Sequence, residues 1–206
     1  PAILLDRDGT LIVDRIYLND PEQIEYLPGV FSALRLLRDK GFVFCVATNQ
    51  SGVPRGVVDV RNLDEIHRRI QARFCAEGVD ILSFHSAPFM TNFNHPFRKR
   101  NPGMLMEAAG WHGLDLRRSW MIGDQVRDAV AGRRAGCRGA LLVRTGDQGA
   151  HERLRGDLDG RGDGRAPREE RVLGLGGASL GAPGDAGGEG ECKRGVRGGA
   201  EHGPGV

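Results

Sequence analysis

The sequence predicts an α/β fold, a Rossmann-like parallel sheet with helices on both faces, over residues 1–147. A disordered tail is expected over 148–206. Three observations carry this. Short, fully apolar runs alternate with longer stretches whose apolar residues recur at three- and four-residue intervals, the pattern of βαβ units. Four of the apolar runs or helix starts are followed by polar residues able to do chemistry, as expected where parallel strands deliver their carboxyl ends to one edge. Composition then changes abruptly: residues 1–150 hold 15 of the 32 glycines, the remaining 56 hold 17, and every Phe, Tyr and Trp lies at or before Trp120.

Ala2-Ile3-Leu4-Leu5 reads as a first buried strand ending at Asp6. A signal peptide is not expected, because Asp6 and Arg7 interrupt the apolar run after four residues. Pro28-Gly29 precedes a helix with Phe31, Leu34 and Leu37 on one face, stopped by Gly41. Phe42–Ala47 is the second strand. Leu63, Ile66, Ile70 and Phe74 mark a longer helix closed by Gly78, and Val79–Phe84 the third strand. Pro102 opens another helix at the N-terminal position that tolerates it. Trp120–Ile122 is the fourth strand, Val126–Ala135 a helix, and Ala140–Val143 the fifth strand. Beyond 150 the chain lacks aromatic anchors and is too rich in glycine for apolar burial to offset the cost of ordering it.

Bulk properties narrow the function classes. Lys and Arg total 29 against 27 acidic residues, a net charge of +2, which disfavours a nucleic-acid binder of the usual basic kind. No apolar run reaches the 18 residues or so that a membrane-spanning helix needs, so no membrane partner is expected. Four dispersed cysteines make neither a disulfide scaffold nor a metal knuckle. In the tail, Arg161-Gly162-Asp163 and Arg197-Gly198-Gly199 resemble recognition tripeptides, but such matches arise by chance in an Arg/Gly/Asp-rich stretch.

The strand ends hold the chemistry. The first runs into Asp6-Arg7-Asp8-Gly9-Thr10, two carboxylates that are costly beyond an apolar strand unless a cation or hydrogen bonds compensate. The second ends in Thr48-Asn49-Gln50-Ser51-Gly52. Arg98-Lys99-Arg100 precedes Asn101-Pro102-Gly103, and the fourth strand ends in Gly123-Asp124 with Asp128 four residues on. Singly, these read as a polar turn, a capped loop, a solvated basic triplet and a helix cap. Their order along the chain is what sets them apart.

That ordered set resembles the haloacid dehalogenase superfamily of aspartyl-phosphate enzymes, and within it the D,D-heptose 1,7-bisphosphate phosphatase and histidinol-phosphatase branch. Asp6-x-Asp8-Gly9-Thr10, Thr48, Lys99 and Gly123-Asp124-x-x-x-Asp128 match its four motifs. The branch likeness adds Leu11, Asp14 with Tyr17, Thr48–Gly52 with Arg55-Gly56, and Arg98-Lys99 before Pro102-Gly103-Met104. The resemblance implies a fold without a large cap domain and a Mg²⁺-dependent phosphomonoester hydrolase.

By the same resemblance Asp6 is the nucleophile and Asp8 the general acid/base. Asp6, the Asp8 backbone carbonyl and Asp124 are the metal ligands, with Asp128 supporting them from behind. Thr48 and Lys99 hold phosphoryl oxygens. Arg7, Asp14, Tyr17, Asn49, Gln50 and Ser51 contact substrate, and Arg98 grips its more distant part. The expected partner is a small phosphorylated metabolite, most of all D-glycero-D-manno-heptose 1,7-bisphosphate. Histidinol phosphate is the alternative within the class, and a catalytically silent binding module the alternative outside it. A monomer in the cytoplasm is expected.

Two departures from the branch stand out. Its zinc loop has one His and three Cys, whereas residues 85–97 here contain His85 and His95 but no Cys, so zinc is not expected. Phe89, Phe93 and Phe97 are expected to form an apolar cluster in its place. Gln125 stands where relatives often have lysine beside the metal-binding Asp.

Overall fold

The computed structural model of the chain describes residues 1–144. The tail expected over 148–206, and the domain boundary expected at 147, lie outside them. The elements are β1 (Ala2–Leu5), α1 (Val30–Asp39), β2 (Val43–Asn49), α2 (Val60–Ala76), β3 (Ile81–Ala87), α3 (Gly103–His112), β4 (Trp120–Gly123), α4 (Val126–Ala135) and β5 (Gly139–Leu142). Short 3₁₀ turns at Pro21–Gln23 and Leu116–Arg118, which the sequence pattern did not signal, complete them. All neighbouring strands pair in parallel, in the order β3-β2-β1-β4-β5.

The period-2 alternation of the central strands sorts the core into two layers. Ile3 and Leu5 of β1 and Phe44 and Val46 of β2 face Val30 and Leu34 of α1 and Ile66, Ile70 and Phe74 of α2. Leu4, Cys45, Ala47 and Met121 face the other way, onto Met104, Leu105 and Ala108 of α3 and Ala131 of α4. All four residues of β1 are buried, which is why that strand is a continuous apolar run in sequence.

The bounds of β2 to β5 shift by one to three residues from the sequence reading, and two element starts differ for visible local reasons. Val79 is buried, but its N–H donates to the Phe74 carbonyl at the end of α2, so β3 begins only at Ile81. Pro102 occupies the N-cap of α3 rather than its first turn.

Strand order reverses on either side of β1, with β2 and β3 to one side and β4 and β5 to the other. Such a switch point opens a crevice beyond the carboxyl ends of the strands. Asp6 follows β1 and Asp124 follows β4, so the two aspartates flank that crevice.

Candidate active site

Asp6 leaves β1 directly into the crevice and is buried. Its Oδ1 takes both the Arg7 backbone N–H at 2.8 Å and the Lys99 Nζ at 2.7 Å. No hydrogen bond from the described residues engages Oδ2. Alternation beyond the strand end puts Asp8 on the same side as Asp6 and sends Arg7 to the other. Gly9 then turns the chain at a φ of 73°.

Arg7 corrects one expectation. Its side chain is only 1% exposed and does not line the cavity, where it was expected to contact substrate. Instead Nε and Nη2 grip the two Asp8 oxygens at 3.1 and 3.0 Å, while Nη1 lies 3.0 Å from His67 Nε2. This fork fixes the Asp8 carboxylate in one orientation. The Thr48 hydroxyl (3.4 Å) and the Gln50 amide (3.3 Å) also point at Asp8 Oδ2.

Lys99 is held with equal care. Its backbone N–H and carbonyl form a pair of hydrogen bonds with the Asn49 side chain, at 3.0 and 2.9 Å. Its ammonium, 1% exposed, donates to the Ala47 carbonyl and pairs with Asp6 and with Asp128 Oδ1 at 2.8 Å. Asn49 was expected to contact substrate; it lines the crevice and also clamps the backbone of this lysine.

Asp124 and Asp128 complete the anionic side. Asp128 is fully buried in the first turn of α4, and its Oδ2 accepts the Gln125 N–H at 3.0 Å. A Cβ at position 123 would collide with that carboxylate, so only glycine lets Asp128 pack beneath the β4 end. The Gln125 amide donates to Asp124 Oδ2 at 2.9 Å, leaving Asp124 Oδ1 buried with no hydrogen-bond partner.

Three buried carboxylates therefore face one ammonium. Burial first, then Asp128, raises the pKa of Asp6 against the pull of Lys99. Asp124 is pushed up to about 7 by burial and then by Asp6. Burial draws Lys99 down, but Asp128 and Asp6 outweigh it and hold the ammonium above its ordinary value. In all three the neighbouring carboxylates act in the same direction, towards holding a proton.

Ligand oxygens of Asp6, Asp124 and Asp128 lie within 4.8 Å of one another. An all-oxygen set with one orphaned carboxylate oxygen suits a hard divalent cation such as Mg²⁺. The residues present thus fit the metal that the resemblance implies. Asp128 enters that group more directly than expected, since its carboxylate also belongs to the acidic trio.

A cavity of about 110 Å³ opens above this cluster. Ten of the expected site residues line it: Asp6, Asp8 and Lys99 at its reactive end, Thr48, Asn49, Gln50 and Ser51 along the β2 loop, Asp14 and Tyr17 opposite, and Arg98. Asp14 Oδ1 accepts the Ile16 N–H at 2.7 Å, shaping the loop that presents Tyr17. Arg98 donates to the Phe89 carbonyl at 3.0 Å. Ile16, Gly52, Thr91 and Arg127, none of them among the named site residues, also line the cavity.

Around Arg98, the loop after β3 contains the expected aromatic cluster, with His95 at its centre. His95 stacks on Phe89 at 3.5 Å between centroids and meets Phe97 at 5.9 Å, while Phe93 lies 6.5 Å from Phe89. His85 goes elsewhere, into a buried contact with Glu107 on α3.

The parallel sheet and its aspartate pair define an α/β hydrolase of the haloacid-dehalogenase type, and known proteins agree. A family model described as HAD-hyrolase-like matches residues 96–163. The chain is 37% identical over 159 residues to the D-glycero-D-manno-heptose-1,7-bisphosphate 7-phosphatase of Thermosynechococcus vestitus, covering 71% of this chain and 80% of that one. The D-glycero-beta-D-manno-heptose-1,7-bisphosphate 7-phosphatase of Escherichia coli K12 is 34% identical over 158 residues, with the same coverage of 71% and 80%. Among solved structures, the D,D-heptose 1,7-bisphosphate phosphatase of B. bronchiseptica, complexed with magnesium and phosphate, superposes with a TM-score of 0.69. It shares 29% identity and covers 84% of this chain and 92% of its own. The chain belongs to the family of the D-glycero-D-manno-heptose-1,7-bisphosphate 7-phosphatases, and it is a phosphatase.

Among the described residues no helix is long and apolar enough to cross a membrane.

Proposed function

We propose that this chain removes the 7-phosphate of D-glycero-D-manno-heptose 1,7-bisphosphate with the help of Mg²⁺, through a phosphorylated Asp6. The observation that carries the reading is the set of Asp6, Asp8 and Lys99 lining the reactive end of a small polar cavity, with Asp124 beside Asp6 in the acidic trio, in a chain whose named relatives act on that bisphosphate.

Phosphate-ester hydrolysis is among the slowest uncatalysed reactions, and a carboxylate nucleophile divides it into two easier displacements. Asp6 Oδ2, the oxygen not engaged by hydrogen bonds, attacks phosphorus as the bond from phosphorus to the sugar oxygen breaks. Asp8 gives its proton to the departing alkoxide. Asp8, now a carboxylate, takes a proton from a water whose oxygen attacks the phosphorus of phospho-Asp6. Breaking the acyl–phosphate bond releases inorganic phosphate and restores Asp6. Arg7 keeps Asp8 aimed at both events.

Lys99 and the Thr48 hydroxyl hold non-bridging phosphoryl oxygens, supplying charge where the transition state needs it. Asp6, Asp124 and the Asp8 backbone carbonyl would hold the Mg²⁺, with Asp128 steadying the set. When bound, the ion neutralises the charge that otherwise repels a phosphate dianion from two aspartates.

The test is phosphate release from the heptose bisphosphate and from histidinol phosphate, with wild-type enzyme and Asp6→Asn. Wild-type enzyme should prefer the bisphosphate, and the variant should lose at least about a thousandfold in kcat. Unchanged turnover in the variant would overturn the mechanism. A preference for histidinol phosphate would overturn the substrate.

A further inference from the structure

Resting on the reading of the site as that of a sugar bisphosphatase, we infer that Arg127 is a substrate-specificity residue that binds the phosphate not being transferred. Lys99 is committed to Asp6 and Asp128, and the Asp8 carboxylate is committed to Arg7. Asp14 accepts from its own loop. Among the lining cations this leaves Arg98 and Arg127.

Arg98 spends one nitrogen on the Phe89 carbonyl, and no hydrogen bond or ion pair from the described residues engages the Arg127 guanidinium. Gln125 is turned inward onto Asp124, so Arg127, in the first turn of α4, is the residue that presents positive charge to the cavity from this side.

The two guanidiniums are close enough to oppose each other. After burial, the charges of Arg127 and then Arg55 lower the pKa of Arg98. Arg55 stands just outside, hydrogen-bonded at 3.3 Å to Thr91, which lines the same wall. Arg127 also feels the charge of Asp6 and Asp124 at the reactive end, but no described carboxylate forms an ion pair with Arg98, Arg127 or Arg55, so their mutual repulsion eases when an anion enters. A monophosphate delivers its anion to the Asp6–Lys99 end. A second phosphate on the same small sugar supplies the charge that Arg98 and Arg127 lack, and guanidinium suits it through paired N–H donors.

Two substrate pairs test this in the full chain. The first is heptose 1,7-bisphosphate against heptose 7-phosphate, which differ only in the phosphate that is not transferred. Arg127→Ala should lower kcat/KM for the bisphosphate about 10- to 100-fold, the scale of one lost charge-assisted hydrogen bond. The loss should be several-fold smaller for the monophosphate, and Arg127→Lys should restore part of it.

The second pair uses inhibitors of p-nitrophenyl phosphate hydrolysis, fructose 1,6-bisphosphate against fructose 6-phosphate. Wild-type enzyme should bind the bisphosphate more tightly, and Arg127→Ala should erase most of that preference. This pair reads Arg127 even where the heptose proves not to be a substrate, so the two failures are distinguishable. Equal losses on both members of a pair would place Arg127 on the transferred phosphate and overturn the inference. So would no loss on either member, or a wild-type enzyme that does not distinguish the fructose pair.

Discussion

Two clusters of polar side chains pack against this sheet, and they are built on opposite principles. Around Ser83, His85 and Glu107 every partner is matched. His112 Nε2 lies 2.9 Å from the Ser83 oxygen, Ser83 Oγ lies 2.8 Å from His85 Nε2, and His85 Nδ1 lies 2.6 Å from Glu107. One proton arrangement satisfies all of them: each imidazole donates one N–H, the Ser83 hydroxyl accepts from His112 and donates to His85, and Glu107 accepts. Burial first keeps His85 below its ordinary pKa, against the opposing pull of Glu107. The network pins α3 to the edge strand and has nothing left over.

Around Asp6 the reverse holds: three carboxylates, one ammonium and an orphaned oxygen on Asp124. A fold that tolerates such an imbalance does so where function requires a charge that the chain itself does not supply. Completeness marks the structural cluster, and the deficit marks the site.

The sharpest way to break the comparison is to remove the only ammonium in the second cluster. Lys99→Met keeps the length of the side chain and leaves Asp6 and Asp128 buried beside each other. Stranding one side of a buried ion pair costs about 3–5 kcal/mol, so the denaturant midpoint of the metal-free protein should fall accordingly. A loss below about 1 kcal/mol would mean the charges are not confined as described.

Supplying the missing charge should have the opposite sign. Magnesium at about a hundred times its Kd should stabilise the wild-type fold by about 2.7 kcal/mol. Asp124→Asn, which removes the orphaned carboxylate, should abolish most of that gain. Thermal melts of both proteins with and without Mg²⁺ read it directly, and an equal shift in both would remove Asp124 from the metal set.

In the satisfied cluster, Glu107→Ala leaves the buried His85 Nδ1–H without its acceptor. That costs about 1–3 kcal/mol of stability. The value of kcat should stay within about twofold, because nothing in this network touches the cavity. A large fall in kcat with little change in stability would erase the distinction between the two clusters.

How much of this was legible in sequence follows from where the information lies. β1 and α4 were read to the residue, because continuous apolar runs and capped helical periods are local signals. Asp6, Asp8 and Asp124 were legible because a parallel sheet brings its strand ends to one edge. Arg7 was misplaced although the period-2 rule that aims Asp6 and Asp8 into the crevice also aims their neighbour out of it. Arg127 was missed because a single arginine in a helix turn is indistinguishable in sequence from a solvated one. Only the assembled cavity shows that its neighbours have spent their charge. The Ser83–His85–Glu107 network joins a strand to a helix 22 residues away, and no local pattern announces it.

A further effect is expected in the pH dependence of stability, where two buried histidines and Asp124 pull in opposite directions. His67, pushed down to about 3 from 6.5 by burial and then by Arg7, and His85, also lowered, stay neutral in the folded chain. The unfolded chain protonates them as pH falls through about 6.5, so acidification favours unfolding, and for His67 this continues down to about 3. Asp124 does the reverse. Its folded pKa of about 7 exceeds its ordinary 3.8, so between those values the folded state holds the extra proton and acidification favours folding. In metal-free protein the two slopes partly cancel. Asp124→Asn removes one of them, so its stability should fall more steeply than that of wild type between pH 7 and 4, by up to about 1.4 kcal/mol per pH unit. Urea midpoints measured across that range in the presence of a chelator decide it. Parallel profiles would mean that Asp124 ionises normally in the folded chain, and the contrast between a satisfied and an unsatisfied cluster would lose its electrostatic basis.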